Sequence, residues 1–434
     1  MTDLNRRRFL TLAGAAASAV TLGSCAGTGA GPGGEEAQEG EAGTINFWSN
    51  HPGLSKDLEV KIGNDFAAAN AGTKVNVIDA GANYEEVAQK FNAALSGGEL
   101  PDVLVVSDVT WFNLALNEAI TPLDSLFGGA GVKTEDYVDS LFADYEFKDQ
   151  HYGLPYARST PLFYYNKQIW KAAGLPDRGP NTWQEFAEWG PKLASQGAKG
   201  AMAISDGTDY LDWYFQGMIW SFGGAYSKEW KPTFTDPKSI EAGKFLQSLF
   251  TKKFLRTAKE PSSDFAAGIA SGFIDSTGTL GGLAKTAKFD FGTAFLPAPK
   301  GVLSCPTGGA GLAIPNGISD ERKAQALKFI NFLTSTENVV TFTQATGYMP
   351  TRKSALKDPK ELAYLEKNPN AQTAVRQLPF TKSQDYARVF VPGGGLRIGA
   401  SLDRIARGED VTKVFGELQE ETQKVIDRDI TPKL

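Results

Sequence analysis

The sequence predicts an α/β protein of two lobes joined by several crossovers. Three observations carry this. Strand-like runs alternate with helix-period segments along most of the chain. The first three strand-like runs each end in polar turn residues, which puts those residues on one edge of one sheet. Loops at 154–160, 297–307 and 346–351 recur where the chain would pass between lobes. Two lobes linked in this way form a hinge, and a hinge over a polar cleft suits ligand-triggered closure.

The elements follow in order. Thr44 to Trp48 reads as the first strand, with a turn at Asn50-His51-Pro52-Gly53. Leu58, Ile62 and Phe66, spaced by four, predict a helix. Lys74 to Ile78 alternates as a second strand. Gly81-Ala-Asn-Tyr84 opens a helix with Val87, Phe91 and Leu95 on one face. Asp102 to Val106 is a continuous apolar strand of the kind covered on both faces, with Ser107-Asp108 at its end. Thr182-Trp-Gln-Glu185 is a capping box, and Asp236-Pro237 is a second helix start. Ile269 to Thr279 reads as a strand running into the polar turn Asp275-Ser-Thr-Gly-Thr279. Phe291 to Pro297 and Gly308 to Pro315 read as strands, 320–334 as a helix, and the remainder as mostly helical.

Composition narrows the function. The 434 residues suffice for two or three domains. At 41% hydrophobic and 22% charged, they match an ordinary soluble globular protein. A formal charge of -6 argues against nucleic-acid partners. His51 and His151 are too isolated for a His-rich metal site, and Cys25 and Cys305 make no zinc or redox motif. No metal and no cofactor are therefore expected. A secreted hydrolase such as a phosphodiesterase is disfavoured, since there is no Gly-x-Ser-x-Gly elbow and no metal-ligand cluster. No Walker motif occurs, so any ATPase lies on another chain.

The N-terminus reads as an address. Residues 1–24 form a signal peptide with a twin-arginine pattern, Asn5-Arg6-Arg7-Arg8-Phe9-Leu10, and a short small-residue apolar run. Leu22-Gly23-Ser24-Cys25 matches a lipobox, so Cys25 is the expected lipidation site and the membrane anchor. Residues 25–43, rich in Gly, Ala and Glu, form a flexible tether. Cys305 would then be the only thiol of the folded body and is read as a buried small hydrophobe.

The pivot is Tyr156 to Lys167, a Ser-Thr-Pro loop that becomes an aromatic strand before a helix. Its Ser159-Thr-Pro-x-x-Tyr-Tyr-Asn-Lys167 resembles the crossover of extracellular solute-binding proteins of ABC importers. Tyr364 to Asn370, Thr373-Ala-Val-Arg376 and Leu378-Pro-Phe-Thr-Lys382 resemble the branch that binds glycerol-3-phosphate and glycerophosphodiesters. The likeness spans about 45–430 and implies a maltose-binding-like, periplasmic-binding-protein fold. It implies an N-lobe of 44–154 plus 304–346 and a C-lobe of 159–298 plus 350–434. The resemblance also implies a non-catalytic monomer that passes its ligand to permease subunits driven by a cytoplasmic ATPase.

Site residues come from the same resemblance, position by position. Tyr84 would bond the ligand, and Asp108 would accept from glycerol hydroxyls. Ser159 is the crossover serine. Ser276, Thr277 and Thr279 would contact phosphate, with the intervening glycine freeing N–H groups. Gly308 and Gly309 would approach through their backbone. Tyr348 is the tyrosine of the third crossover, and Arg397 would pair with phosphate through its planar fork. Relatives carry a tryptophan near 206–211; here Asp209, Tyr210 or Leu211 falls there, leaving room for a headgroup such as choline. The expected ligand is a glycerophosphodiester, glycerophosphocholine above all, or glycerol-3-phosphate. An oligosaccharide stacked on the aromatic cluster of 208–234 is the alternative.

Overall fold

The computed structural model describes residues 41–434. The signal peptide, the lipobox with Cys25 and nearly all of the tether lie outside the described residues. Ten strands build two mixed five-stranded sheets. They are β1 (Thr44–Ser49), β2 (Lys74–Asp79), β3 (Val103–Ser107), β4 (Leu154–Ser159), β5 (Pro161–Asn166), β6 (Met202–Ile204), β7 (Leu255–Thr257), β8 (Gly272–Ser276), β9 (Phe291–Ala294) and β10 (Gly308–Ala313). The first sheet runs β2-β1-β3-β10-β4 and the second β7-β6-β8-β5-β9. β1 pairs in parallel with β2 and β3, while β10 inserts antiparallel between β3 and β4.

The helices used below are α1 (Lys56–Ala69), α2 (Tyr84–Leu95), α3 (Trp183–Ala194), α4 (Leu211–Ser221), α5 (Asp320–Leu333), α6 (Thr336–Thr346), α7 (Gly394–Ala406) and α8 (Val411–Val425). Their starts follow local chemistry. The Asn83 side chain accepts from Glu86 N–H to begin α2. Thr182 accepts from Glu185 N–H to begin α3, as the capping pattern predicts.

Each sheet carries its own core. Phe47, the fully buried run Val103–Val106, Leu312 and Ile330 pack in the first. In the second sheet, β5 divides its side chains by the period of two. Phe163 and Tyr165 join Trp170 and Trp183 on one face, while Leu162 and Tyr164 join Phe273 on the other.

One expectation is corrected here. Residues 154–159 are a buried strand, not a loop, and the chain leaves the first sheet for the second at Thr160 alone. That point is stitched down: Thr277 N–H donates to Thr160 O at 3.0 Å, and Gln377 Nε2 donates to Thr160 Oγ1 at 3.0 Å. The later crossover runs alongside, with Met349 N–H donating to Arg158 O at 2.7 Å. Tyr348 belongs to the first core and Met349 to the second. The chain end then comes back, because Val425, Ile426 and Ile430 are buried in the first core. Cys305 is a free, buried thiol. Among the described residues no helix is long and apolar enough to cross a membrane, and no cluster of His, Cys, Asp or Glu is arranged to hold a metal.

Candidate functional site

The site forms where the ends of the first sheet's strands meet segments of the second lobe. Asp108 follows β3 and is held by its N–H, which donates to Gly309 O at 3.0 Å. Gln384 donates to its carboxylate from the C-terminal part of the chain. Arg388, on a single helical turn at Tyr386–Val389, lies between two acids. Its Nε is 2.6 Å from Asp212 Oδ2, and its Nη1 is 3.6 Å from Asp108 Oδ2. Burial pushes the Asp108 carboxyl up from its ordinary value, while Arg388, Arg158 and Gln384 hold it down. Asp108, Asp144, Thr307, Ser383, Gln384 and Tyr386 are among the residues lining a cavity of about 140 Å³ beside this pair.

A second group sits at the tyrosines. The Tyr84 and Tyr348 hydroxyls are 3.3 Å apart. Tyr348 lies against Gly278, where a Cβ would come within 2.7 Å of its ring. Of the three residues at the missing tryptophan, Tyr210 is the one that meets this group. It begins α4 in a left-handed conformation (φ 58°), and Glu85, Asp209, Tyr348 and Asp108 all bear on its phenol. Leu211 is fully buried in the second core, and Asp209 accepts from Ser205 Oγ at 3.1 Å.

The glycines serve close approach. A Cβ at Gly308 would meet the Trp213 ring at 2.3 Å, and Trp213 Nε1–H donates to Thr307 O at 3.0 Å. Ser159, buried at the end of β4, faces Gly308 in register.

Two expected roles look different in the structure. In the turn after β8, Gly278 N–H is taken by Ser276 Oγ (3.0 Å), Ser276 N–H by Asp275 Oδ1 (2.6 Å) and Thr277 N–H by Thr160. Thr277 itself is fully buried, and Thr279 bears on the Asp275 carboxyl, holding its proton affinity down. The N–H groups of Ser276, Thr277 and Gly278 are therefore used within the protein. Arg397, on α7, donates to Pro392 O at 2.9 Å and its Nε is 3.3 Å from Glu421 Oε1 on α8. It does not join the Asp108 cluster; Arg388 does. Sequence reasoning passed over Arg388, although an arginine inside the apolar run Ala387-Arg-Val-Phe-Val391 was the available signal.

The family profile described as bacterial extracellular solute-binding protein matches residues 61–373. The chain belongs to that family. This solute-binding protein is 30% identical over 363 residues to the sn-glycerol-3-phosphate-binding periplasmic protein UgpB of Escherichia coli K12, covering 78% of this chain and 82% of that one. Its fold matches the crystal structure of UgpB from Mycobacterium tuberculosis in complex with glycerophosphocholine. That match has a TM-score of 0.87 and 51% identity, over 90% of this chain and all of that one. The GacH receptor of Streptomyces glaucescens shares the fold at a TM-score of 0.75 and 19% identity, over 90% of this chain and 100% of that one.

An acidic patch lies beside the tyrosines of this solute-binding protein. Burial pushes the Asp275 carboxyl up to about 6, with the Glu260 charge adding to the shift. Asp209 is likewise pushed up to about 6, by burial first and then by Asp275, Glu260 and Asp206. The folded protein thus holds protons that the unfolded chain releases near pH 4. The contribution of these groups to stability falls as pH rises from about 4 to 6, and the loss is complete above that window. Asp275→Asn keeps the acceptor for Tyr214 (3.0 Å) and removes the charge. We expect the variant to be more stable than wild type at pH 7.5, by on the order of 1–3 kcal/mol, and no more stable at pH 4. Urea unfolding at the two pH values checks this; equal gains at both would contradict it.

Proposed function

We propose that the protein captures a glycerophosphodiester between its lobes, with glycerophosphocholine preferred over glycerol-3-phosphate. The observation that carries this is Arg388, buried and fixed between Asp108 and Asp212 at the cleft. A guanidinium held there is a charge-assisted partner for phosphate oxygens, and Asp108 is an acceptor for the glycerol hydroxyls. Asp209 and Asp275, beside Tyr210 and Tyr214, supply the acid and aromatic faces that a cationic alcohol would need. The ligand named for the M. tuberculosis relative supports the same reading. Tyr84, Tyr210, Tyr348, Ser159 and the Gly308-Gly309 backbone complete the proposed contacts. Arg388 takes the role first assigned to Arg397.

On this reading each sheet centres one lobe: 44–154 plus 304–346, and 159–298 plus most of 350–434. Ligand adds contacts to both and raises the population of the closed form, which docks on an ABC permease powered by a cytoplasmic ATPase. The ligand is released unchanged, and the protein is a monomer held to the membrane by lipidated Cys25. Calorimetric titration of the purified protein with glycerophosphocholine, glycerol-3-phosphate and maltose tests the ligand. Binding of glycerophosphocholine tighter than the monoester, with none of maltose, is expected. Maltose binding alone would move the protein to sugars.

A further inference from the structure

We infer that Gln384 is a positioning residue of the binding site, a neutral bridge that holds Asp108 and Arg388 at a fixed separation so that both stay available to the ligand. The inference rests on the reading of those two groups as ligand partners. Gln384 is buried and stands just ahead of the helical turn that carries Arg388.

Its amide touches both charges. Gln384 Nε2 donates to Asp108 Oδ2, and Gln384 Oε1 accepts from Arg388 Nη1. Arg388 Nη1 itself is 3.6 Å from Asp108 Oδ2, beyond a direct hydrogen bond. The neighbours dictate which way the amide points. A guanidinium only donates and an ionised carboxylate only accepts, so the oxygen faces Arg388 and the nitrogen faces Asp108. With the amide removed, nothing stands between the two charges, and in a buried site they would collapse into a direct ion pair. Such a pair takes up the guanidinium edge and the carboxylate oxygen that a phosphodiester would use.

The bridge is anchored in one core and reaches to the other. Asp385 accepts from Trp220 Nε1–H at 3.1 Å and from Tyr226 N–H at 2.8 Å, and Ala387 N–H donates to Ser227 Oγ at 3.0 Å. Trp220, Tyr226 and Ala387 all belong to the second core. From that base Ser383 Oγ donates to Asp144, and Gln384 donates to Asp108. Asp144 precedes Tyr145 and Asp108 follows β3, and both Tyr145 and β3 pack in the first core. The segment 383–388 therefore ties the two cores together. On the two-lobe reading, the amide comes between Asp108 and Arg388 as the lobes close, so closure and alignment of the site are one event.

The surrounding charges require the bridge to be neutral. Asp108, Asp144 and Glu146 line the same cavity as Gln384, and Arg158 acts on Asp108. Glu85 of α2 and Asp212 of α4 act on Arg388. The segment itself adds Lys382, Asp385 and Arg388. Burial pushes the phenols of Tyr145, Tyr226 and Tyr386 up, so they stay neutral. A carboxylate at position 384 would be repelled by Asp108 and would draw Arg388 toward itself. Its protonated form would donate through O–H to Asp108 and accept from Arg388 through C=O, which is the arrangement of the amide. Gln384→Glu is thus a bridge only while it holds a proton, and the acids around it favour holding one.

Calorimetry on the full chain with glycerophosphocholine, whose phosphate keeps one charge throughout, tests this at pH 5 and pH 8. Each variant is compared with wild type at the same pH, so that titration of Asp209 and Asp275 cancels. Gln384→Ala should weaken binding about tenfold at both. Gln384→Glu should weaken it about 30-fold or more at pH 8 and return to within about threefold of wild type at pH 5. A side chain that only fills space would show no such return. In an Asp108→Ala background, Gln384→Ala should weaken binding by less than about twofold, because the bridge then has one end only. Urea unfolding at both pH values separates lost folding from lost alignment. The inference is overturned if Gln384→Ala binds as wild type, or if Gln384→Glu is weakened equally at both pH values. It is equally overturned if Gln384→Ala still loses about tenfold in the Asp108→Ala background, which would mark a direct ligand contact. If Asp108→Ala and Arg388→Ala bind as wild type, or wild type binds no glycerophosphocholine, the ligand reading itself fails and this inference with it.

Discussion

Arg388→Ala is expected to weaken binding of phosphate-bearing ligands by about 100-fold or more. The side chain is 5% exposed, and it is the cation set between Asp108 and Asp212. Its removal takes away the proposed phosphate partner and leaves two acids facing each other with little water. Breaking a buried pair on one side costs about 3–5 kcal/mol, so the variant should also unfold at lower urea. Arg388→Lys separates the two effects. It keeps the charge and loses the planar fork, so stability should recover more than affinity. Arg397→Ala is the contrast. Its partner Glu421 is 66% exposed, and such pairs contribute about 0–1 kcal/mol. Calorimetry with glycerophosphocholine, alongside urea unfolding, should find Arg397→Ala close to wild type. Lost binding in Arg397→Ala with normal binding in Arg388→Ala would reverse the assignment.

Gly309→Ala should be the most damaging of the small substitutions. Gly309 has φ 95°, a conformation side chains rarely adopt. An added Cβ would lie 2.0 Å from Ala157 O, a backbone atom of the neighbouring strand that cannot swing aside. The register of β10 against β4 also shifts between Gly309 and Gly311. Relief requires β10 and β4 to separate at the place where Gly309 O receives the Asp108 N–H. Stability should fall by about 3 kcal/mol or more, and ligand affinity should fall with it as Asp108 moves. Gly416→Ala on α8 is the control: nothing lies within 4 Å of its Cβ, and a helical alanine is favoured by up to about 1 kcal/mol. Thermal melts of the two variants check the contrast, and similar melting temperatures would contradict it.

The elements that were legible in the sequence are those whose local chemistry agrees with their tertiary role. Val103–Val106 reads as a buried strand because every residue is apolar and every one is buried. Asn83 and Thr182 announce their helices because the capping atoms lie within three residues. β4 was not legible as a strand for the opposite reason. Arg158 and Ser159 look like loop residues, yet Arg158 is fully buried, donating to Tyr145 Oη at 2.9 Å and pairing with Asp144. Those partners come from other elements, so no local pattern announces them.

The site divides in the same way. Tyr84, Asp108, Tyr210 and Tyr348, taken from the resemblance, come from four separate elements and bear on one another's ionisation. The turn at 276–279 looked open to an anion, but the N–H groups of Ser276 and Gly278 are taken by the turn's own side chains, and that of Thr277 by Thr160, which only the fold brings there. Arg397 was assigned to the phosphate by the resemblance alone; on α7 it lies beside Pro392 and Glu421, away from the Asp108 cluster.

The return of Ile426 and Ile430 to the first core bears on how the molecule is made. A core that begins at Ile45 is completed by Ile426 and Ile430. Synthesis runs from the N-terminus, so this core stays unfilled until those two residues have emerged. Neither half can be cut out as a contiguous fragment with its interior intact. The two halves therefore mature together, late, through contacts of very large sequence separation, which is the slow end of folding behaviour.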